Sequence, residues 1–212
     1  FSNVGTLAFD SVTTTSITGI LKLDAAGTGQ WLTPTGGQGG GVFVQAGWGN
    51  LAIATDGAVL AGGRFFGTML IGGTAYDTDS QDGIMAKLDA ASGVPAWSFQ
   101  YGTDTAADGG GYIAAGPNGG VYLTGGVDGI LNFMGGQIVG TMGTDGFVAR
   151  FDTDGSLVWG QKFGAAAGFE QSLALTSDAN GGVVTGGLFN DTFAFSGGGQ
   201  TLTSNGEFDL FL

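Results

Sequence analysis

The sequence predicts an all-β protein made of four-stranded antiparallel units that recur about every 63 residues, and three observations predict it. Glycine makes up 46 of the 212 residues beside only 3 Pro, with no three-residue collagen period, so the chain is rich in tight turns rather than long helices. The acidic residues are 16 Asp and only 2 Glu, and Asp favours turns where Glu favours helices. Several short patterns also recur along the whole chain at nearly constant spacing. Hydrophobic residues at 42% are enough to build a core. No uninterrupted apolar stretch approaches the roughly 20 residues of a membrane helix.

The recurring patterns are independent of one another. Ile20-Leu21-Lys22-Leu23-Asp24, Met85-Ala86-Lys87-Leu88-Asp89 and Val148-Ala149-Arg150-Phe151-Asp152 place a cation at spacings of 65 and 63. Trp31, Trp97 and Trp159 follow at 66 and 62. The pairs Gly62-Gly63, Gly125-Gly126 and Gly186-Gly187 each close an apolar run, at 63 and 61. Phe9, Leu70, Phe133 and Phe195 are spaced 61, 63 and 62. The whole chain, 1–212, is therefore read as one repeat domain with units at about 19–82, 83–145 and 146–209 and partial units at both ends.

Each unit reads as two hairpins. Asp24-Ala25-Ala26-Gly27, Asp89-Ala90-Ala91-Ser92-Gly93 and Asp152-Thr153-Asp154-Gly155 are the turns of one. Asp56-Gly57, Pro117-Asn118-Gly119 and Asp178-Ala179-Asn180-Gly181 are the turns of the other. The segments between them are too short and too interrupted by Gly for helices. Four-stranded units of this kind bury both faces by stacking radially, as a β-propeller, or in a line, as a solenoid. The long period and the two hairpins per unit favour a propeller segment.

The run Phe147-Val148-Ala149-Arg150-Phe151-Asp152, then Asp154-Gly155-Ser156-Leu157-Val158-Trp159, then Asn180-Gly181 and Val183-Val184-Thr185-Gly186-Gly187, resembles the bacterial seven-bladed β-propeller repeat. The double Gly after an apolar strand, followed later by Trp, is also similar to Kelch. The period is longer than in Kelch, and the tryptophan-aspartate signature of WD40 repeats is absent. The resemblance covers essentially the whole chain and implies a fold while leaving the activity open. Residues 1–21 match residues 188–212, so both ends offer the same strand. The expectation is a segment of a larger ring, completed by the remainder of the propeller or by further copies of the chain.

Charge narrows the partners. A net charge of −13 repels nucleic acid and anionic membrane, so neither nucleic-acid binding nor membrane insertion is expected. There is no Cys for a disulfide or thiolate site and no His for the commonest general base. This composition suits an exported bacterial protein, extracellular or on the cell surface.

Lys22, Lys87 and Arg150 each stand two positions before an Asp, on the same strand face, and read as repeat cations paired with blade or turn carboxylates. Trp31, Trp97 and Trp159, one per period, read as packing. A ligand site is expected instead in the long connections 36–50, 102–111 and 164–171, at residues taken to be unrepeated: Trp48, Asp104 with Asp108, and Glu170 beside Phe169. An aromatic beside carboxylates suits a sugar, whose C–H face stacks while its hydroxyls donate. Asp77, Asp79 and Asp82 offer oxygen ligands at near-alternate positions for a calcium ion, and no other cofactor is expected. Neither the phosphate-loop lysine motif nor a Gly-x-Ser-x-Gly elbow occurs. A non-enzymatic binding or scaffold module for a glycan or protein surface is therefore expected. The alternatives are a structural element of an extracellular assembly and a fragment of a propeller hydrolase.

Overall fold

In the computed structural model the described residues are 7–9, 12–14, 18–36, 47–103, 108–165, 168–195 and 201–212. They are all-β and antiparallel, and among them the one helical turn is a 3-10 turn at Pro117–Gly119. A hairpin of β1 (Leu7–Phe9) and β2 (Val12–Thr14) precedes the pair β3 (Gly19–Leu23) and β4 (Gly29–Pro34). A four-stranded meander follows, of β5 (Gly47–Ile53), β6 (Val59–Ile71), β7 (Thr74–Leu88) and β8 (Pro95–Tyr101). The next sheet repeats it with β9 (Gly109–Ala115) and β10 (Val121–Val127), then the outlying hairpin β11 (Ile130–Phe133) and β12 (Gly136–Val139), then β13 (Asp145–Phe151) and β14 (Leu157–Phe163). The last sheet has β15 (Glu170–Ser177) and β16 (Val183–Phe189), the hairpin β17 (Thr192–Ala194) and β18 (Thr201–Thr203), and β19 (Asp209–Phe211). The second strands begin at Val59, Val121 and Val183, 62 residues apart each time. The physical sheets thus run from first strand to fourth, whereas the sequence repeats at 19–82, 83–145 and 146–209 start at a third strand. Among the described residues no strand pairing joins the first pair to the last sheet.

Strand alternation divides each central strand between two cores. Val59, Ala61, Ile84 and Ala86 pack with Ile20 and Trp31 of the first pair, while Leu60 and Met85, between them in sequence, pack with Ile113, Leu123 and Phe147 of the next sheet. The same alternation sends Phe147 and Ala149 backward and Val148 forward, to Phe189, Phe193 and Phe211 of the last sheet. The sheets therefore stack face to face, and residues 59–63 of β6, with β10 and β13, read as near-continuous apolar or small runs because both of their faces are covered. On the other face of the last sheet Val184 and Leu210 are exposed.

The recurring glycines follow from how closely the sheets approach. A Cβ at Gly111 of β9 would lie 2.2 Å from the Gly63 nitrogen, and one at Gly62 would lie 2.6 Å from the Gly111 oxygen, so neither position admits a side chain. Within a sheet, Gly83 lies opposite Tyr101, and Gly146 opposite Phe163 one period later. Each ring folds across its glycine and fills the space a side chain would take. The tryptophans link sheets through turns: the Trp31 indole donates to the Ala90 carbonyl, and Trp97 to that of Thr153, both at 3.1 Å.

Candidate functional site

The first strand of each of the three larger sheets carries an irregularity at the same place. The register of β5 slips at Gly49, that of β9 at Gly110-Gly111 and that of β15 at Leu173, in each case opposite the double glycine of the neighbouring strand or its partner position. An extra residue in one strand kinks it and redirects the side chains beside it. Here the kinks of three successive sheets border one pocket of about 360 Å³, lined by residues Trp48, Arg64, Tyr112, Gln171 and Leu173 together with Gly49, Gly63 and Gly111. That volume is within the range of small-ligand sites. Trp48, expected in a loop, stands on β5, half-buried against the core between the first pair and the next sheet, and its indole donates to Thr35 Oγ1 at 3.3 Å. The Arg64 side chain is exposed and makes no hydrogen bond or ion pair with the described residues. The residues around the pocket thus include a tryptophan, a tyrosine, a glutamine and an arginine.

Arg64, Tyr112 and Gln171 were not among the residues expected from sequence. One signal for Arg64 was present: it follows Gly62-Gly63, where the corresponding pairs are followed by Val127 and Leu188. A cation in an apolar position of a repeat marks a departure from the scaffold.

The expected carboxylates Asp108 and Glu170 are not among the residues around this pocket. Asp104 lies outside the described residues. Asp108 and Glu170, read as unrepeated, are equivalent, 62 residues apart, and both are fully buried at junctions between sheets. The difference between Asp and Glu, together with the variable connection before each, hides the match in the sequence. Each lies near a second buried acid of a third strand, Asp82 within β7 or Asp145 at the start of β13. A Cβ at Gly102 would be 2.6 Å from Asp82 Oδ1 and 3.2 Å from Asp108 Cβ; one at Gly164 would be 2.4 Å from Glu170 Oε2 and 2.7 Å from Asp145 Oδ1.

The two acid pairs differ in how they are satisfied. Asp108 accepts hydrogen bonds from the Thr103 amide at 2.8 Å, the Thr103 hydroxyl at 3.2 Å and the Asp128 amide at 3.0 Å, and Gln100 donates to Asp82 at 2.5 Å. Burial still raises the Asp108 carboxyl above its ordinary range, with the charge of Asp82 adding to the effect. Burial and the charges of Asp108 and Asp82 also push the Tyr101 phenol far up, and its buried oxygen has no hydrogen-bond partner. At the second junction Asp145 accepts from the amide and hydroxyl of Thr141 and from Lys162 at 3.2 Å. Among the described residues no hydrogen bond of ordinary geometry reaches either oxygen of Glu170. Burial first, then the charge of Asp145, push its carboxyl up to about 7, against the opposing pull of the Ala165 amide and Lys162.

The expected calcium ligands Asp77, Asp79 and Asp82 all stand on one strand, β7. Asp77 and Asp79 are exposed, Asp77 accepts from the Thr68 hydroxyl at 2.5 Å, and Asp82 is buried beside Gln100 and Gly102. Between them the register of β7 slips, with Asp79 and Ser80 unpaired against β6. Of the repeat cations, Lys87 pairs with the turn carboxylate of Asp56 at 2.8 Å. Lys22 instead donates to the Ala90 carbonyl. The Arg150 Nε is buried without a partner.

Fold and pocket together define a class: an all-β protein of repeated antiparallel sheets, with a small pocket where the first strands of three sheets meet. No protein-family model matches the chain, and no curated protein matches it.

Proposed function

We propose that the chain is a β-propeller segment acting as a non-enzymatic binding module, extracellular or on a cell surface, and that the Trp48 pocket is where it takes a glycan or a protein surface. The carrying observation is the convergence of Trp48, Tyr112, Arg64 and Gln171 from strands of three successive sheets. An aromatic face with a carboxamide and a guanidinium suits a saccharide, which needs a stacking surface and directional polar groups. The radial reading of the stack is supported by β9 lying against β5 and β6 and β15 lying against β9 and β10, so that successive first strands are neighbours. The hydrolase alternative calls for two carboxylates reaching one accessible space, and the burial of Asp108 and Glu170 favours binding over it. The exposed Val184 and Leu210 favour assembly through the last sheet as a second role.

The test is a glycan array read beside thermal melts of Trp48→Ala and Arg64→Ala. Arg64 is exposed, so Arg64→Ala should leave stability within about 0.5 kcal/mol while weakening binding of an array hit at least several-fold. Trp48→Ala should weaken it by about 1–3 kcal/mol, as a lost aromatic anchor does. Glycan binding that survives both substitutions, or no binding to any glycan, would sink the saccharide version.

A further inference from the structure

The two acid pairs form an internal comparison. At the same repeat position Asp108 accepts three hydrogen bonds, whereas among the described residues no hydrogen bond of ordinary geometry reaches either buried oxygen of Glu170, on which the Ala165 amide exerts only a weaker pull. A buried ionised carboxylate costs several kcal/mol unless it takes up a proton or a counter-charge, so Glu170 stands ready to take either. The groups whose charges act on it are Asp145, Asp191 and Lys162, and one ammonium does not balance three carboxylates. Lys162 is also taken by Asp145 and is a quarter exposed, at 26%.

We propose that Asp145 and Glu170 bind a divalent hard cation, of which calcium is the fitting class. The distances from the Gly164 position hold Glu170 Oε2 and Asp145 Oδ1 within about 5 Å of each other, a separation that one ion with bonds of about 2.3–2.6 Å can bridge. A further oxygen is close by. A Cβ at Gly168 would lie 2.3 Å from Glu170 Oε1 and 3.1 Å from the Asn190 carbonyl oxygen. Glycine at 164 and 168 keeps the space around the carboxylate free of side-chain carbon, and hard oxygen donors with no thiol or imidazole select calcium over softer metals. Lys162 competes for Asp145 Oδ1, and its partly exposed chain can swing into solvent when the ion enters. With few protein oxygens, the affinity belongs to the weak, extracellular range of about 10⁻⁴–10⁻³ M.

The experiment is calorimetric titration of chelator-stripped protein with calcium chloride, paired with thermal melts in calcium and in chelator. Calcium should raise the melting temperature of the wild type. Glu170→Gln should lose at least tenfold in affinity while melting, in chelator, no lower than the wild type, because the buried charge is gone. Lys162→Gln should bind several-fold more tightly, since the competing ammonium is absent. Absence of both heat and melting shift at millimolar calcium overturns the proposal. So does a Glu170→Gln protein that keeps wild-type affinity, which would place the ion elsewhere on the acidic surface. If Glu170→Gln does not fold, Lys162→Gln decides: unchanged or weaker binding there overturns it.

Discussion

The side-chain amide of Asn50 hydrogen-bonds both backbone groups of Ile113, accepting from its N–H at 2.6 Å and donating to its carbonyl at 2.8 Å. β9 is an edge strand of its sheet, so one carboxamide from β5 occupies the place a neighbouring strand would take. This fastens the first strands of two sheets to each other without a ladder between them.

Asn50→Ala should therefore destabilise by about 2–3 kcal/mol, because it leaves a partly buried N–H and C=O unpaired. Asn50→Asp should not rescue the loss, since it sets a carboxylate against the Ile113 carbonyl. Urea unfolding of the three proteins checks this, and a loss within about 0.5 kcal/mol for Asn50→Ala would show that solvent takes over both bonds.

Gly111→Ala tests the close approach of the sheets. Its methyl would meet the Gly63 backbone nitrogen at 2.2 Å, and backbone on both sides cannot yield as a side chain can. The expected cost is about 3 kcal/mol or more, at the upper end for overpacking. Gly27→Ala has open space around it and a φ of +84°, so it should cost only the strain of a left-handed turn, about 1 kcal/mol. Comparing the two melts separates contact from conformation.

The tryptophans rank by burial. Trp31 is buried, at 6% exposure, within the first inter-sheet core, so Trp31→Ala should cost about 3–5 kcal/mol. Trp97 is only partly buried, and Trp97→Ala should cost less while still breaking its bond to Thr153. Trp31→Phe should recover most of the packing and lose the bond to Ala90, about 1 kcal/mol. Denaturant midpoints of the three variants give the order.

The Asp108–Asp82 pair sets a pH trend. The Asp108 carboxyl is held above its ordinary value of 3.8 by burial, so the folded protein keeps a proton that the unfolded chain releases. The stability this contributes is complete below pH 3.8 and is lost as the pH rises through the folded-state value. Asp56 and Asp89 are held low and act in the opposite sense, so the contribution is read as wild type minus Asp108→Asn. That difference should fall as the pH rises from 3.5 to 7 in urea melts; a flat difference would show that the Thr103 and Asp128 donors offset the burial.

Strand content, hairpin turns and the spacing of equivalent positions were legible in the sequence because they rest on local chemistry. Asp-x-x-Gly and Asn-Gly turns close their own loops, and the Asp152 carboxylate accepts from the amides of Asp154 and Ser156 within a few residues of itself. The packing role of Trp31 was legible too, since a residue that recurs with the period belongs to the scaffold. The tertiary structure decided the rest. Trp48 was visible as an odd aromatic, but its pocket depends on strand kinks that bring Arg64, Tyr112 and Gln171 beside it from three sheets. Asp108 and Glu170 looked like solvent-facing loop acids, and only the stacking of one sheet on the next buries them against Asp82 and Asp145. Turn formation is settled among residues within four or five positions, whereas the solvation of a carboxylate depends on groups brought to it from other strands.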